Sequence, residues 1–194
     1  MWTFVSNLLW LSAQILWLAL PVMVAAAIHI AVIRTMVLSG LTSPLDFGQT
    51  FRGRRLFGDN KTWRGLVVMV AVSSAGMALQ QWMRIPALEL FDYGSVNAWA
   101  CGALLGLGFV LAELPNSLLK RQFDIPPGEQ ATGRRYWIFT TLDQVDSVAG
   151  CLLALAVVWL PPWQVVLIAL ALCSLVHVGF NLLFVLVGLK RRAF

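Results

Sequence analysis

Residues 147–189 read SVAGCLLALAVVWLPPWQVVLIALALCSLVHVGFNLLFVLVGL, a stretch without a single Asp, Glu, Lys or Arg. A membrane-spanning helix needs about 20 mostly apolar residues, so this stretch is too long for one helix. Pro161 and Pro162 divide it, because proline ends helices and restricts the residue before it. The stretch therefore predicts two spans, at about 137–160 and 163–189.

Three further apolar segments precede this pair, at about 8–33, 66–83 and 96–119. The chain is 59% hydrophobic and only 12% charged, whereas soluble domains are roughly 25% charged. A chain this apolar cannot cover itself with polar surface in water. We therefore predict an all-α integral membrane protein, a single domain over residues 1–194 with five transmembrane helices.

The charges indicate how the five spans are oriented, since 13 of the 14 basic residues fall on one side of them. These residues are Arg34, Arg52, Arg54, Arg55, Lys61 and Arg64 in the first long loop, Lys120, Arg121, Arg134 and Arg135 in the second, and Lys190, Arg191 and Arg192 in the tail. The positive-inside rule places the loops at about 34–65 and 120–136, and the C-terminus, in the cytoplasm. The N-terminus is then outside the cell membrane, and topology explains the net charge of +5 without a nucleic-acid partner.

Three carboxylates lie inside the predicted spans near their cytoplasmic ends. Asp143 and Asp146 are three residues apart and share one helix face, and Glu113 lies at a similar level in the third span. Ionisable residues in a membrane are costly and mark function by default, although salt-bridged acids can also simply hold helices together. Carboxylates beside many basic groups suit Mg²⁺ with a polyphosphate. We predict Asp143, Asp146 and Glu113 as metal ligands.

The two basic loops carry features of a phosphate site. Residues 58–65 read GDNKTWRG and lead into the second span, so that Lys61 and Thr62 precede a helix N-terminus, which is a favourable place for an anion. The segment is not a Walker A motif. Before the second loop, Glu113, Asn116 and Lys120 share a helix face by their spacing of three and four residues.

These segments resemble the CDP-archaeol synthase family, membrane CTP:lipid-phosphate cytidylyltransferases related to the CDP-diacylglycerol synthases. The resemblance covers residues 51–65, 113–121 and 142–146, and Asn181 followed by residues 188–190. It extends over most of the chain from about Pro44. It implies five spans, CTP as the nucleotide donor and Mg²⁺ as the cofactor.

The resemblance implies transfer of a cytidylyl group from CTP to a lipid phosphate from the inner leaflet, giving a CDP-activated lipid and pyrophosphate for phospholipid synthesis. The lipid is either a digeranylgeranylglyceryl phosphate-like ether lipid or phosphatidic acid, since Asp146-Ser147 is closer to the bacterial CDP-diacylglycerol synthases. We predict Asp143, Asp146 and Lys61 as catalytic. The predicted substrate-binding residues are Asp46, Arg54, Arg55, Thr62, Arg64, Asn116, Lys120, Arg121 and Asn181.

Other kinds of membrane protein are open at this point. A CDP-alcohol phosphotransferase would carry a longer aspartate signature, which the sequence lacks. A small transporter would need a polar path to the outer face, but the outer halves of the spans are apolar. A non-enzymatic scaffold leaves the buried charges unexplained. Membrane lipids are expected partners, and a homo-oligomer is compatible with the sequence.

Overall fold

The computed structural model describes residues 2–188, with side chains from residue 5 onward. Within that range the chain forms five long helices, α1 (Trp2–Arg34), α2 (Trp63–Met83), α3 (Ala98–Gln122), α4 (Arg134–Leu155) and α5 (Trp163–Leu186). Each helix is long and apolar enough to cross a membrane. The predicted architecture of five transmembrane helices is therefore confirmed. The basic residues predicted for the tail, Lys190, Arg191 and Arg192, lie outside the described residues.

The helix ends differ by a few residues from the spans expected from hydropathy. The largest difference at a single end is in α1, which begins at Trp2 and not at about residue 8. Helix α4 begins at Arg134 and ends at Leu155, compared with the expected range of 137–160. Residues 156–160 form turns instead. The ring of Trp159 stacks on Phe91 with the ring centroids 4.9 Å apart. Packing against a neighbouring loop therefore accompanies the early end of α4, and hydropathy carries no information about such contacts.

The loop between α1 and α2 is partly ordered by a small hairpin. Strands β1 (Thr50–Phe51) and β2 (Arg54–Arg55) pair antiparallel. Arg52 and Gly53 between them have φ of 53° and 76°, which is the backbone of a type I′ turn and favours glycine at the second position.

The two basic loops lie on one face of the helix bundle, which we call the loop face. Arg54 donates to the Asp124 carboxylate at 2.6 Å and to the backbone carbonyl of Gln122. These bonds join residues 35–62 to residues 123–133. The shorter connections 84–97 and 156–162 lie at the other ends of the helices. The described basic loop residues are thus gathered at one end of the bundle.

Helix α3 packs between α2 and α4, and glycines bring it very close to α4. A Cβ atom added to Gly150 would lie 2.2 Å from the carbonyl oxygen of Gly108 and 2.3 Å from the Cβ of Ala112. Small residues allow such backbone contact between membrane helices, where packing rather than the hydrophobic effect drives association. One to two turns towards the loop face, the same two helices carry Glu113, Asn116, Asp143 and Asp146.

Candidate active site

Asp143 is the most heavily bonded carboxylate of the site. Lys120 Nζ donates to both of its oxygens, at 2.7 and 2.6 Å, and Asn116 Nδ2 donates to Oδ1 at 2.7 Å. Gln130 Nε2 lies 3.3 Å from Oδ2. The same Asn116 amide donates to Asp146 Oδ2 at 2.8 Å. One amide therefore holds the two aspartates of α4 together from α3.

Glu113 is joined to these aspartates through Ser147. Ser147 Oγ lies 3.2 Å from Glu113 Oε1 and 3.1 Å from Asp146 Oδ1. The other Glu113 oxygen accepts a hydrogen bond from Lys61 Nζ, a residue 52 positions earlier in the chain. The structure thus brings the three predicted acids into one continuous polar network running from Lys61 to Lys120.

The acids of this network are paired with lysines and amides and do not form a closed metal site. No three His, Cys, Asp or Glu side chains within residues 2–188 are grouped so that they could hold an ion. The donor chemistry nevertheless fits Mg²⁺, which prefers oxygen ligands. Asn116 Oδ1 is buried, has no partner among the described residues, and belongs to the amide that bridges Asp143 and Asp146. Buried acceptors are rarely left without a partner, and a hard cation would satisfy this one.

Two arginines supply free hydrogen-bond donors at the loop face. Arg64 and Arg121 are 8% and 7% exposed, and in each the Nε and Nη1 atoms have no partner in the described part of the chain. Arg64 lies in the first turn of α2, whose N-terminus is capped by Thr62, with the hydroxyl accepting from the Gly65 N–H at 3.3 Å. Buried guanidinium donors beside a helix N-terminus fit a phosphate group.

Asp46 lies beneath the hairpin with its side chain fully buried. It accepts hydrogen bonds from Arg55 Nη2 at 2.8 Å and from the backbone N–H groups of Gly48, Phe57 and Gly58 at 2.9–3.1 Å. Burial alone raises the pKa of the carboxyl, but these bonds outweigh it and hold the pKa of Asp46 well below its usual range. These contacts give Asp46 a role in ordering the loop, and its binding of substrate stays a prediction.

Replacing Asp46 with alanine is expected to open the first loop locally. Removing a buried, charge-paired acceptor costs about 3 kcal/mol, so hydrogen exchange at the Gly48, Phe57 and Gly58 amides should accelerate by about 100-fold. Because the folded-state pKa is depressed, the stabilisation is complete above about pH 4 and is lost as the pH falls further. Hydrogen-exchange mass spectrometry measures both effects. Asp59→Ala is the control, since Asp59 is exposed and bonds Arg55 alone; equal exchange in the two variants would contradict the assignment.

A cavity of about 380 Å³ lies among the five helices and reaches the network. Its walls are mostly apolar. Along α1 they extend from Ile15 to Ile33. One end of the cavity is lined by polar side chains. These are His29, Asn60, Lys61, Thr62, Glu113, Ser147, His177 and Asn181. The cavity therefore has an apolar body inside the bundle and a polar end at the acids.

A second cleft of about 310 Å³ lies between the two loops. Arg54, Arg55 and Arg121 line it together with Asp124 and Pro127. Arg54 and Arg55 are already paired with acids, although Arg55 Nε has no partner in the described part of the chain. Arg121 contributes two further free guanidinium nitrogens to the cleft, Nε and Nη1. Unlike these arginines and Arg64, Lys61 and Lys120 are paired with carboxylates through their amino groups.

Four residues of the site were not predicted from the sequence. Ser147 and Gln130 bond the acids, and Gln144 Oε1 lies 3.5 Å from Asn181 Nδ2. Ser147 stands four residues after Asp143 and could have been placed on its helix face. His29 of α1 lines the cavity, and its only signal in the sequence is that it is a histidine in an otherwise apolar span.

Comparison with known proteins agrees with this geometry. The model of the CarS-like CDP-archaeol synthase family matches residues 6–194. The CDP-archaeol synthase of Pyrococcus furiosus is 35% identical over 150 residues, 76% of this chain and 81% of that protein. The enzyme of the same name from Thermococcus onnurineus is 35% identical over 179 residues, 91% of each chain.

A solved structure, described as an intramembrane enzyme for archaeal membrane lipids biosynthesis, has the same fold. It superposes with a TM-score of 0.62 at 28% identity, covering 86% of this chain and 91% of its own. The family model matches residues 6–194, and the two relatives and this structure cover between 76% and 91% of the chain. The chain therefore belongs to the CDP-archaeol synthase family of CTP-dependent cytidylyltransferases, and it is a membrane-spanning enzyme.

Proposed function

We propose that this protein transfers the cytidylyl group of CTP to the phosphate of an isoprenoid glycerol ether lipid and releases pyrophosphate. One observation supports this function above the others. The apolar cavity is continuous with the polar network that joins Lys61, Glu113 and Ser147. The apolar cavity can therefore hold a long hydrocarbon chain while a phosphate group at its polar end lies beside the acids. The name shared by the relatives favours the ether lipid over phosphatidic acid.

The length of the cavity suits a membrane lipid. Along α1 its wall extends from Ile15 to Ile33, which at 1.5 Å per residue is about 27 Å. This is close to the roughly 30 Å of a hydrocarbon core. The lipid tail lies along this wall, and its phosphate lies at the polar end near Lys61 and Glu113.

The nucleotide approaches from the loop face. The cleft between the two loops is lined by Arg121, whose neighbour Lys120 bonds Asp143. The buried, unpaired N–H groups of Arg64 and Arg121 donate to phosphate oxygens. Lys61 and Lys120 leave their carboxylates to contact phosphates when the substrates are bound. Each lysine thereby exchanges one anionic partner for another and its buried charge stays neutralised.

Asp143 and Asp146, with Asn116 Oδ1, hold Mg²⁺ in this proposal, and Glu113 is the third acid available to it. When bound, the ion neutralises phosphate charge, which dominates catalysis of phosphoryl-type transfer. An oxygen of the lipid phosphate attacks the α-phosphorus of CTP, and the bond to the β-phosphate breaks as pyrophosphate leaves. The side chains position these groups; Lys61 contacts the lipid phosphate, and Arg64 stabilises the charge that moves to the leaving pyrophosphate.

We also propose that the loop face is cytoplasmic and the N-terminus external. The described basic loop residues are gathered at this face, in agreement with the positive-inside rule. CTP is then available to the site, and the lipid phosphate enters from the inner leaflet.

The function is tested with the purified full-length protein in nanodiscs, labelled CTP and Mg²⁺. We expect a labelled CDP-lipid with digeranylgeranylglyceryl phosphate, much less with phosphatidic acid, and no product with EDTA. Equal or greater use of phosphatidic acid would overturn the lipid assignment, and no product with either lipid would overturn the function. In sealed vesicles, inside-out preparations should use external CTP and right-side-out ones should not; the reverse would contradict the orientation.

A further inference from the structure

His29 is chemically isolated in its helix. It is the single titratable residue of residues 2–33 and one of two histidines in the chain. Its Nε2 atom is buried and has no hydrogen-bond partner in the described part of the protein. A buried imidazole nitrogen without a partner costs free energy that a bound ligand can recover. The position of His29 in the cavity therefore indicates which ligand can form this hydrogen bond.

His29 lines the cavity where its apolar body meets its polar end. On α1, the cavity-lining residues Met23 and Ala26 precede it, and Lys61, Thr62 and Glu113 line the polar end beside it. A lipid whose tail fills the apolar body and whose phosphate meets Lys61 has its glycerol phosphate at this boundary. The triphosphate of CTP would approach from the loop face instead.

Gly65 leaves space for the imidazole ring of His29. A Cβ atom on Gly65 would lie 3.0 Å from both Cε1 and Nε2 of His29. Glycine in the first turn of α2 therefore admits the imidazole edge beside the capped helix N-terminus. The ring therefore packs against the first turn of α2, beside Lys61 and Thr62, which line the polar end of the cavity.

We propose that His29 Nε2, carrying the proton, donates a hydrogen bond to a phosphate oxygen of the lipid substrate and positions it for attack on CTP. This inference rests on the proposed function. His29 is thus a lipid-binding residue contributed by α1, and it acts on the lipid and not on the nucleotide.

Steady-state kinetics of His29→Leu and His29→Gln test this role. We expect leucine to raise the KM for the lipid phosphate by about 10- to 100-fold, as for a lost hydrogen bond to a charged group, with the KM for CTP within twofold of wild type. Glutamine keeps an N–H donor and should recover most of the loss. Ile28→Leu, an apolar exchange at an exposed position next to His29 that does not line the cavity, is the control and should behave as wild type.

A second measurement separates binding from folding and from turnover. Labelled lipid phosphate is bound to the protein in detergent without CTP or Mg²⁺, beside the same diether lipid lacking its phosphate. His29→Leu should weaken retention of the phosphorylated lipid and leave that of the alcohol unchanged. Gly65→Ala keeps the histidine but places a Cβ 3.0 Å from its ring, so that the ring must shift by a few tenths of an ångström. It should give a smaller loss of the same selective kind, and it serves if His29→Leu does not fold.

The outcomes distinguish this inference from the function on which it rests. Wild-type protein that forms no CDP-lipid overturns the proposed function. An active wild type together with an unchanged lipid KM in His29→Leu overturns the role of His29. A raised KM for CTP, or equal loss of the phosphorylated and dephosphorylated lipids, also overturns it.

Discussion

Replacing Asp143 with alanine is expected to lower CDP-lipid formation by at least about 10³-fold, the effect of losing a central electrostatic group in a transfer reaction. Asp143 is the carboxylate on which Lys120, Asn116 and Gln130 converge. Without it the proposed cation site loses a ligand, and Lys120, which is only 9% exposed, loses its anionic partner. The measurement is incorporation of labelled CTP into lipid by the purified protein.

The loss must be separated from unfolding, because an unpaired buried lysine is itself destabilising. Asp143→Asn keeps the shape of the side chain and one acceptor oxygen but not the charge that pairs with Lys120. It should be equally inactive while unfolding at a higher midpoint than Asp143→Ala. Asp92→Asn is the matched control, since Asp92 is an exposed aspartate in the connection at the opposite end of the bundle, where it accepts from the Gly94 N–H; it should keep most of the activity. Near-normal turnover by folded Asp143→Asn would refute the assignment.

Replacing Gly150 with valine is expected to destabilise the protein strongly and to remove activity with it. A Cβ at this position already falls 2.2 Å from the Gly108 carbonyl oxygen and 2.3 Å from the Ala112 side chain, so α3 and α4 must separate. Overpacking of a close interface costs about 3 kcal/mol or more. Asp146 stands one helical turn from Gly150 and is held by Asn116 on α3. Separating the helices would therefore also pull the acids away from Asn116 and Lys120.

The thermal unfolding midpoint in detergent and CTP incorporation are measured on the same preparation. Gly179→Val is the control, since Gly179 is also inside a helix and a Cβ there meets nothing within 4 Å. Both variants carry the same helix-propensity cost of a β-branched residue, so the difference between them reports the α3–α4 contact. Equal midpoints in Gly150→Val and Gly179→Val would show that this contact is not needed.

The sequence by itself was sufficient for the five helices and for singling out the three acids that the structure joins in one network. Spans follow from apolar length, because a lipid environment accepts only helices that satisfy their own backbone hydrogen bonds. The acids were identifiable because charge in an apolar span is costly and hence rare. Glu113, Asp143 and Asp146 could therefore be grouped by level along their helices before any contact was known.

Tertiary structure alone decided which groups meet. Lys61 pairs with Glu113 across 52 residues, and Asp46 turns inward to the hairpin. His29 enters the cavity because Gly65 leaves room for its ring. Helix periodicity gives the face of a residue within its own helix, but partners depend on how helices rotate and approach. In this protein the close approach of α3 and α4 depends on backbone contact between Gly108 and Gly150. Because neither residue has a side chain, the two helices come close enough for the polar side chains nearer the loop face to bond each other.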